Sequence, residues 1–566
     1  MQRIGAFLQA RGYFSAQVKP PRIAVDSDGG VSIDVAVASG RPTRIQQLKI
    51  AGSKRLPASV ARRLAAATGL RTGDVLIYPH YSSAKTALLR ELRASGYPYA
   101  AVTGRIAVNR GSDSANVQLT VDSGPRVVLG AIRLRGNGPL PADKLRALIT
   151  FRSGDLFDER QFARTRARFF RQQVFSSVHI ALPDQPQAHP DVMIDLEPAK
   201  LRVLRLGAGI GVERRRHELR ATGSWTIYNF LGGLRVLNVE LKPALVAMPA
   251  VWDRQRNGPA ITSSISLKQP DLLATGLTAY VRASYELGIH EGYRFHGPGL
   301  QPGLERTFFD ERLRVGLSWN LQFFDFFDVD LKAFEATTTQ LGLGFVDPYR
   351  LAWIEPFAQL DLRDSILDPR AGFFAELRFE LGHPAIAGDF SYIKMLPEVR
   401  GYVPLGTKRL VLALRVQLGY LRPSTGIASP VTRRLSLGGP TRHRGFSYGR
   451  LSPQAKLSDG RRVPLGGHGA LLFSADLRLR LVQLFGYWIG LGAFLDGGDV
   501  TANFSDLALD NLHLATGAGL LYATPIGTLR LALGVRLNRL AEQSSGRANP
   551  DPGERLTFHL TVGTAF

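Results

Sequence analysis

Two hydrophobic rhythms divide the chain. Up to about residue 200, short alternating runs are interleaved with segments whose apolar residues recur at helical spacing, as in Val60–Ala67. From Leu201 onward the helical spacing vanishes and the period becomes two. In residues 276–288, Leu277, Ala279, Val281, Ala283, Tyr285 and Leu287 form one row, and Thr278, Arg282, Ser284 and Glu286 the other. In residues 312–323, Leu313, Val315, Leu317, Trp319, Leu321 and Phe323 alternate with Arg312, Arg314, Ser318, Asn320 and Gln322. Leu471, Phe473, Ala475, Leu477, Leu479 and Leu481 alternate with Ser474, Asp476, Arg478 and Arg480.

A soluble sandwich also alternates. Two features favour a membrane barrel. The apolar rows are nearly free of charge over about 9–11 residues, the span of a tilted transmembrane strand. The opposite rows are charged, often with Arg, which suits a wet lumen better than a second packed sheet. Strands of about ten residues plus turns, laid out from Leu201 to the end, allow about sixteen strands.

The first 200 residues repeat. Gly12-Tyr13 and Gly96-Tyr97, Gly40 and Gly124, and Gly52 and Gly136 are each 84 residues apart. A weaker third copy, Phe169–Val178, lacks the Gly. One unit reads as a strand at Ile45–Ile50, helices at Val60–Ala67 and Ser83–Ser95, and strands at Ala101–Asn109 and Ala115–Val121. The next has a helix at Glu159–Gln172 and strands at Ser177–Leu182 and Asp191–Leu196. The order is β-α-α-β-β. Gly96 is placed to cap the helix before it. The expected divisions are 1–41 (a partial unit beginning inside its second helix), 42–124, 125–200 and a barrel over 201–566.

Composition changes this picture little. There are no cysteines, which removes disulfides and thiolate metal sites. The formal net charge is +24. Nucleic-acid binding is set aside because Arg is dispersed through strands rather than gathered in a patch. No run of 18 apolar residues suggests a membrane helix, and MQRIGAFLQARGYF has no apolar core of a signal peptide. An exported chain would then begin upstream. No G-x-S-x-G elbow or H-E-x-x-H is present, and the eleven His lack ligand spacing. Asp361 and Asp364, read as inward, are expected to balance lumen Arg rather than act as an acid/base pair. We expect no enzyme activity, no cofactor and no metal.

The repeated units resemble POTRA modules, in the helix-Gly-Tyr-x-x-a-x-Val segment and the Ile/Leu-x-Gly-Asn/Ser strand end. Five segments of the barrel half carry a further resemblance: LSLGGPTRHRGF at 435–446, LGGHGALLFSAD at 465–476, FLDGGDV at 494–500, TPIGTLR at 524–530 and DSILDPRAG at 364–372. Together they resemble the POTRA-plus-barrel insertase superfamily. LTFHLTVGTAF at the end resembles its C-terminal β-signal. Asp476, Thr524 and Thr528 depart from the family's usual residues. About three modules on a chain of this length resemble the TamA branch (translocation and assembly module), with the BamA branch second.

The resemblance implies an outer-membrane protein with periplasmic modules and a set of partners: client outer-membrane proteins, the lipid bilayer and, for the TamA branch, a TamB-like periplasm-spanning protein, around a monomeric barrel. It makes 435–446 a loop entering the lumen. Alternation puts Ser474, Asp476, Phe494 and Asp496 on the lumen side, so Arg444 is expected to pair with Asp496 and also Asp476, beside Gly445 and Phe446. The plain alternative is a surface loop in which Gly-Gly-Pro is turn chemistry. The resemblance also implies a lateral seam between the first and last strands, involving Gly207, Gly209, Gly211, Phe558 and Phe566. Glycines weaken a strand's packing, and an open seam can template an incoming strand. A secretion-type or passive pore, and a tether, remain as alternatives, with the modules as docking or spacer arms.

Overall fold

The computed structural model describes residues 2–25, 30–213, 215–274, 276–309, 311–329, 331–407, 409–424, 428–456, 460–524, 527–538 and 555–561. The chain divides into two compact units, Met1–Lys200 and Leu201–Phe566.

The first unit carries two β-α-α-β-β modules. In the first, strand Arg44–Ala51 is followed by helices Ala58–Ala67 and Tyr78–Arg93, then strands Ala101–Asn109 and Ser114–Asp122. The last strand is central, parallel to the first and antiparallel to the second. The next module repeats this with Ile132–Arg135, helices Ala142–Ala147 and Glu159–Arg171, and strands Phe175–Ala181 and Val192–Pro198. Each helix pair buries its apolar stripe on one sheet face, with Leu64, Leu88, Leu92 and Leu119 in one core and Phe162, Phe169, Ile180 and Ile194 in the other.

The second helix begins at Tyr78, five residues before the expected Ser83. Pro79, which looks like a stop, sits in the first turn, where a missing N–H costs nothing. The repeated glycines have a shared steric cause. A Cβ on Gly52 would lie 2.1 Å from the carbonyl oxygen of Val121, and one on Gly136 would lie 2.1 Å from that of Leu196. In both modules the chain leaving the first strand crosses the central strand's backbone too closely for a side chain. Where the third copy lacks its Gly, Gln173 adopts the same left-handed backbone, at φ 56°.

The second unit is a closed antiparallel barrel, sixteen strands among the described residues, from Arg202–Glu213 to Leu556–Thr561, each strand bonded to its sequence neighbour. Alternation decides the faces. Leu204, Leu206, Leu219, Leu241, Leu245, Ile265 and Val281 are exposed on the outside, as a lipid-facing row requires. Inside, charges pair along the wall: Arg378 bridges Glu355 and Glu376, and Glu398 meets Arg400 and Arg415. Asp361 pairs with Arg363 in this way. Asp364 does not; it lies in the hairpin turn, where its carboxylate accepts from the N–H groups of Arg370 and Ala371. The strand ends at Asp361, so Asp364 belongs to the turn and the expectation that it faces inward fails there.

One end of the barrel is filled. Tyr293, Phe295, Phe324, Phe326, Phe334 and Tyr349 pack into one aromatic cluster with Ala455 and Val463. Phe334 comes from helix Leu331–Gln340, between the seventh and eighth strands. This is the end reached by the first strand as it runs from Arg202 to Glu213.

Candidate functional site: a loop moored in the lumen

Between the eleventh strand, Leu410–Pro423, and the twelfth, Gly469–Leu484, the chain makes a long loop whose middle is deeply buried. His443 and Arg450 are 0% exposed, Phe446 1% and Arg444 5%. A buried guanidinium is tolerated only if its donors are satisfied by charge and geometry. The lumen wall meets that demand.

Asp496, on the thirteenth strand (Tyr487–Thr501), is itself fully buried. Its Oδ2 accepts from the Arg444 backbone N–H at 2.8 Å and from Nε at 2.8 Å. Its Oδ1 accepts from Nη2 at 2.5 Å and from the Ser474 hydroxyl at 2.7 Å. Arg444 Nη1 reaches Asp476 at 2.6 Å, and Arg478 holds the other oxygen of Asp476 at 3.0 Å. The Phe494 ring lies under the guanidinium, 3.7 Å from its carbon. Ser474, Asp476, Phe494 and Asp496 thus each touch Arg444 or its carboxylate partner. The period-two rule put Ser474, Asp476, Phe494 and Asp496 on one face, and the antiparallel register sets Ser474 opposite Asp496 and Asp476 opposite Phe494.

Gly445 fits where a Cβ would meet that of Ala515 at 2.6 Å. Its carbonyl accepts from Arg536 Nε and from the Thr557 hydroxyl, both at 2.8 Å. Phe446 packs edge-on to His443 and His513, with the Arg536 guanidinium 3.7 Å over its ring. His443 Nε2–H donates to the His513 carbonyl at 2.8 Å while Nδ1 accepts from the Gly445 N–H at 3.3 Å. This arrangement needs a neutral ring, and burial, partly opposed by the Asp496 charge, pushes the His443 pKa down to about 4.

Other anchors of the loop were missed in the sequence. Arg450 Nη1 binds Glu291 at 2.6 Å and the Arg462 carbonyl at 2.7 Å. Arg434 donates to the carbonyls of Leu343 at 2.8 Å and Ser429 at 3.0 Å. Arg433 lies 3.8 Å over Trp353 and faces Glu380. The density of arginines between 433 and 450 was the available signal, since a surface loop has no need of so many rigid, bidentate donors.

At the seam, the first and last strands pair, among the described residues, at Gly211–Thr561, Val212–Leu560 and Glu213–His559. The glycines Gly207, Gly209 and Gly211 share the inward row of the first strand, opposite Thr222, Arg220 and Glu218 of the second. A Cβ on Gly209 would meet nothing within 4 Å. Phe558 is on the outer face, 42% exposed, and Phe566 lies outside the described residues. Among the described residues, no group of three or more His, Asp or Glu could hold a metal ion, and no helix is long and apolar enough to cross a membrane.

Residues 264–566, more than half of the chain, match the Omp85 superfamily domain. The chain belongs to the Omp85 superfamily. Within it, the chain is similar to the outer membrane protein assembly factor BamA of Nitratidesulfovibrio vulgaris, 23% identical over 575 aligned residues that cover 96% of this chain and 66% of that protein. It thus spans just under two thirds of that relative's length. A SAM50-like protein of Schizosaccharomyces pombe is 31% identical over 210 residues, 35% of this chain and 42% of that one. The crystal structure of BamA from Haemophilus ducreyi lacking POTRA domains 1–3 superposes with a TM-score of 0.65 at 19% identity, over 92% of this chain and all of that one. That likeness is one of fold: β-α-α-β-β modules followed by a closed antiparallel barrel, sixteen strands among the described residues.

Proposed function

We propose that this Omp85 protein is a BamA-type assembly factor, which inserts client β-barrel proteins into the outer membrane by presenting the edge of its first strand. The observation that carries the proposal is the seam at Gly211–Glu213, set in a barrel whose lumen is occupied by a moored loop. Backbone groups need partners in lipid, and a strand edge supplies them to an incoming segment without a cofactor or an enzymatic step. The aromatic cluster filling one end of the barrel weighs against a passive pore. Similarity to a BamA along 96% of the chain supports general client assembly over the narrower TamA-type role with a TamB-like partner, which rested on module number. The modules' outer strands, Arg44–Ala51 and Ala101–Asn109 in one sheet, offer edges on which clients or periplasmic partners would dock.

The test is assembly of a client barrel by the purified protein in liposomes, with the seam locked by a disulfide. Across the seam Thr561 faces Gly211, Leu560 faces Val212 and His559 faces Glu213. The lock is therefore Val212→Cys with Leu560→Cys, directly opposed and within disulfide reach. The native chain has no cysteine to interfere. Assembly that stops on oxidation and returns on reduction supports the reading. Equal activity of the locked form, or no acceleration by the native chain, defeats it.

A further inference from the structure

The lumen loop touches both sides of the seam, and unequally. On the last-strand side its contacts are buried: the Gly445 carbonyl accepts from Thr557, and the Arg444 carbonyl accepts from His559 Nε2 at 3.1 Å. Thr557 and His559 are each 1% exposed. On the first-strand side, the Tyr448 N–H donates to Glu213 Oε2 at 3.1 Å in an exposed position. Glu213 also ends the paired stretch, opposite His559. Between these moorings lies a cavity of about 320 Å³ bordered by Glu213, Glu218, Thr441, Tyr448 and Leu560.

We infer that the loop is a latch across the seam, with Glu213 as its release point, so that the barrel opens by the first strand leaving while the loop stays with the last. The asymmetry follows from solvent. A buried hydrogen bond is lost at the cost of two desolvated groups, whereas an exposed one is exchanged for water. Arg444, held by Asp496 and Asp476, fixes the loop to the twelfth and thirteenth strands. The fifteenth and sixteenth are tied to it through Arg536 and Thr557. On the first strand, the carboxylate of Glu213 receives the loop's Tyr448 N–H. Glu213 thereby acts as a positioning residue, setting how often the first-strand edge is free. This rests on the assembly reading for its purpose, but not for its test.

The test is amide hydrogen exchange of the full chain in lipid nanodiscs, without client. Glu213→Ala should speed exchange at Val212 and Leu560 about tenfold, the worth of one hydrogen bond to a charged group, while Gly445 and Phe446 stay slow. Glu213→Gln, which keeps an acceptor for Tyr448, should stay close to the native rate. Unchanged exchange in Glu213→Ala, a Gln variant as fast as Ala, or loop amides that speed up with the first strand would each overturn the latch. Failure of client assembly alone would count against the proposed function and leave these rates informative.

Discussion

Arg444 and Asp496 are joined three times, through the backbone N–H, Nε and Nη2 of the arginine. The backbone bond matters as much as the charge, because it fixes the loop's main chain as well as its side chain to the thirteenth strand. A carboxylate that is 0% exposed has no water to replace these donors.

Arg444→Ala should therefore cost about 3–5 kcal/mol, the usual penalty for leaving a buried charge without its partner. Arg444→Lys should recover less than half of that. A single ammonium cannot span Asp496 and Asp476 or stack on Phe494 as the planar guanidinium does. Thermal unfolding of the folded barrel, followed by its heat-modifiable gel mobility, measures this. A Lys variant as stable as the native chain would mean that charge alone holds the loop.

The module glycines give a sharper steric test. Gly52→Ala drives a Cβ against the Val121 carbonyl and must do so at φ 83°. The same holds for Gly136→Ala against Leu196. Each should destabilise its own module by about 2 kcal/mol or more and leave the barrel's unfolding unchanged. Limited proteolysis of residues 42–200, alongside the barrel's gel mobility, separates the two effects.

Much of this was legible in sequence because period and charge are one-dimensional signals. Strand alternation put Asp476 and Asp496 on the same face, and the Gly repeat exposed the modules. What escaped was set by distant packing. Nothing local tells that Glu291, in the hairpin after the fifth strand, will meet Arg450. Nothing local says that Glu213 will meet a loop 235 residues later. Asp364 was misread because it lies beyond the strand, which ends at Asp361, in a turn whose N–H groups claim its carboxylate. The register at the seam likewise depends on closure of the whole barrel, which sets Thr561 against Gly211.

The Arg450–Glu291 pair predicts an asymmetry between its two partners. Arg450 is fully buried, whereas the Glu291 side chain is 19% exposed. Removing Glu291 leaves a buried cation that still has the Arg462 carbonyl. Removing Arg450 leaves a carboxylate that water can reach, but opens a void where a large, fully buried side chain stood. Arg450→Met, which fills most of the volume without the charge, should thus be milder than Arg450→Ala by about 1–3 kcal/mol. The comparison is read from the unfolding temperature of the two variants. Equal losses would assign the residue's contribution to charge and not to packing.

The last prediction concerns acid. His443 lies in the loop, outside the strands, and its folded pKa is pushed down to about 4 from an ordinary 6.5, chiefly by burial. The unfolded chain therefore binds a proton that the folded loop refuses. The stability contributed by the neutral ring is fully present above pH 6.5 and is lost progressively as pH falls toward 4, on the order of 3 kcal/mol in all. The geometry gives the reason: protonated Nδ1 would face the Gly445 N–H and could no longer accept from it, and Arg536 lies nearby, which together with burial outweighs the Asp496 charge and the His513 carbonyl that favour the charged form. Exchange of the loop amides from 443 to 449 should thus accelerate between pH 6.5 and 4, after correction for the intrinsic pH dependence of exchange. His443→Gln, whose side chain has no such titration, should flatten that profile. A native profile already flat over this range would show that the ring's protonation is not coupled to the loop's hold on the lumen wall.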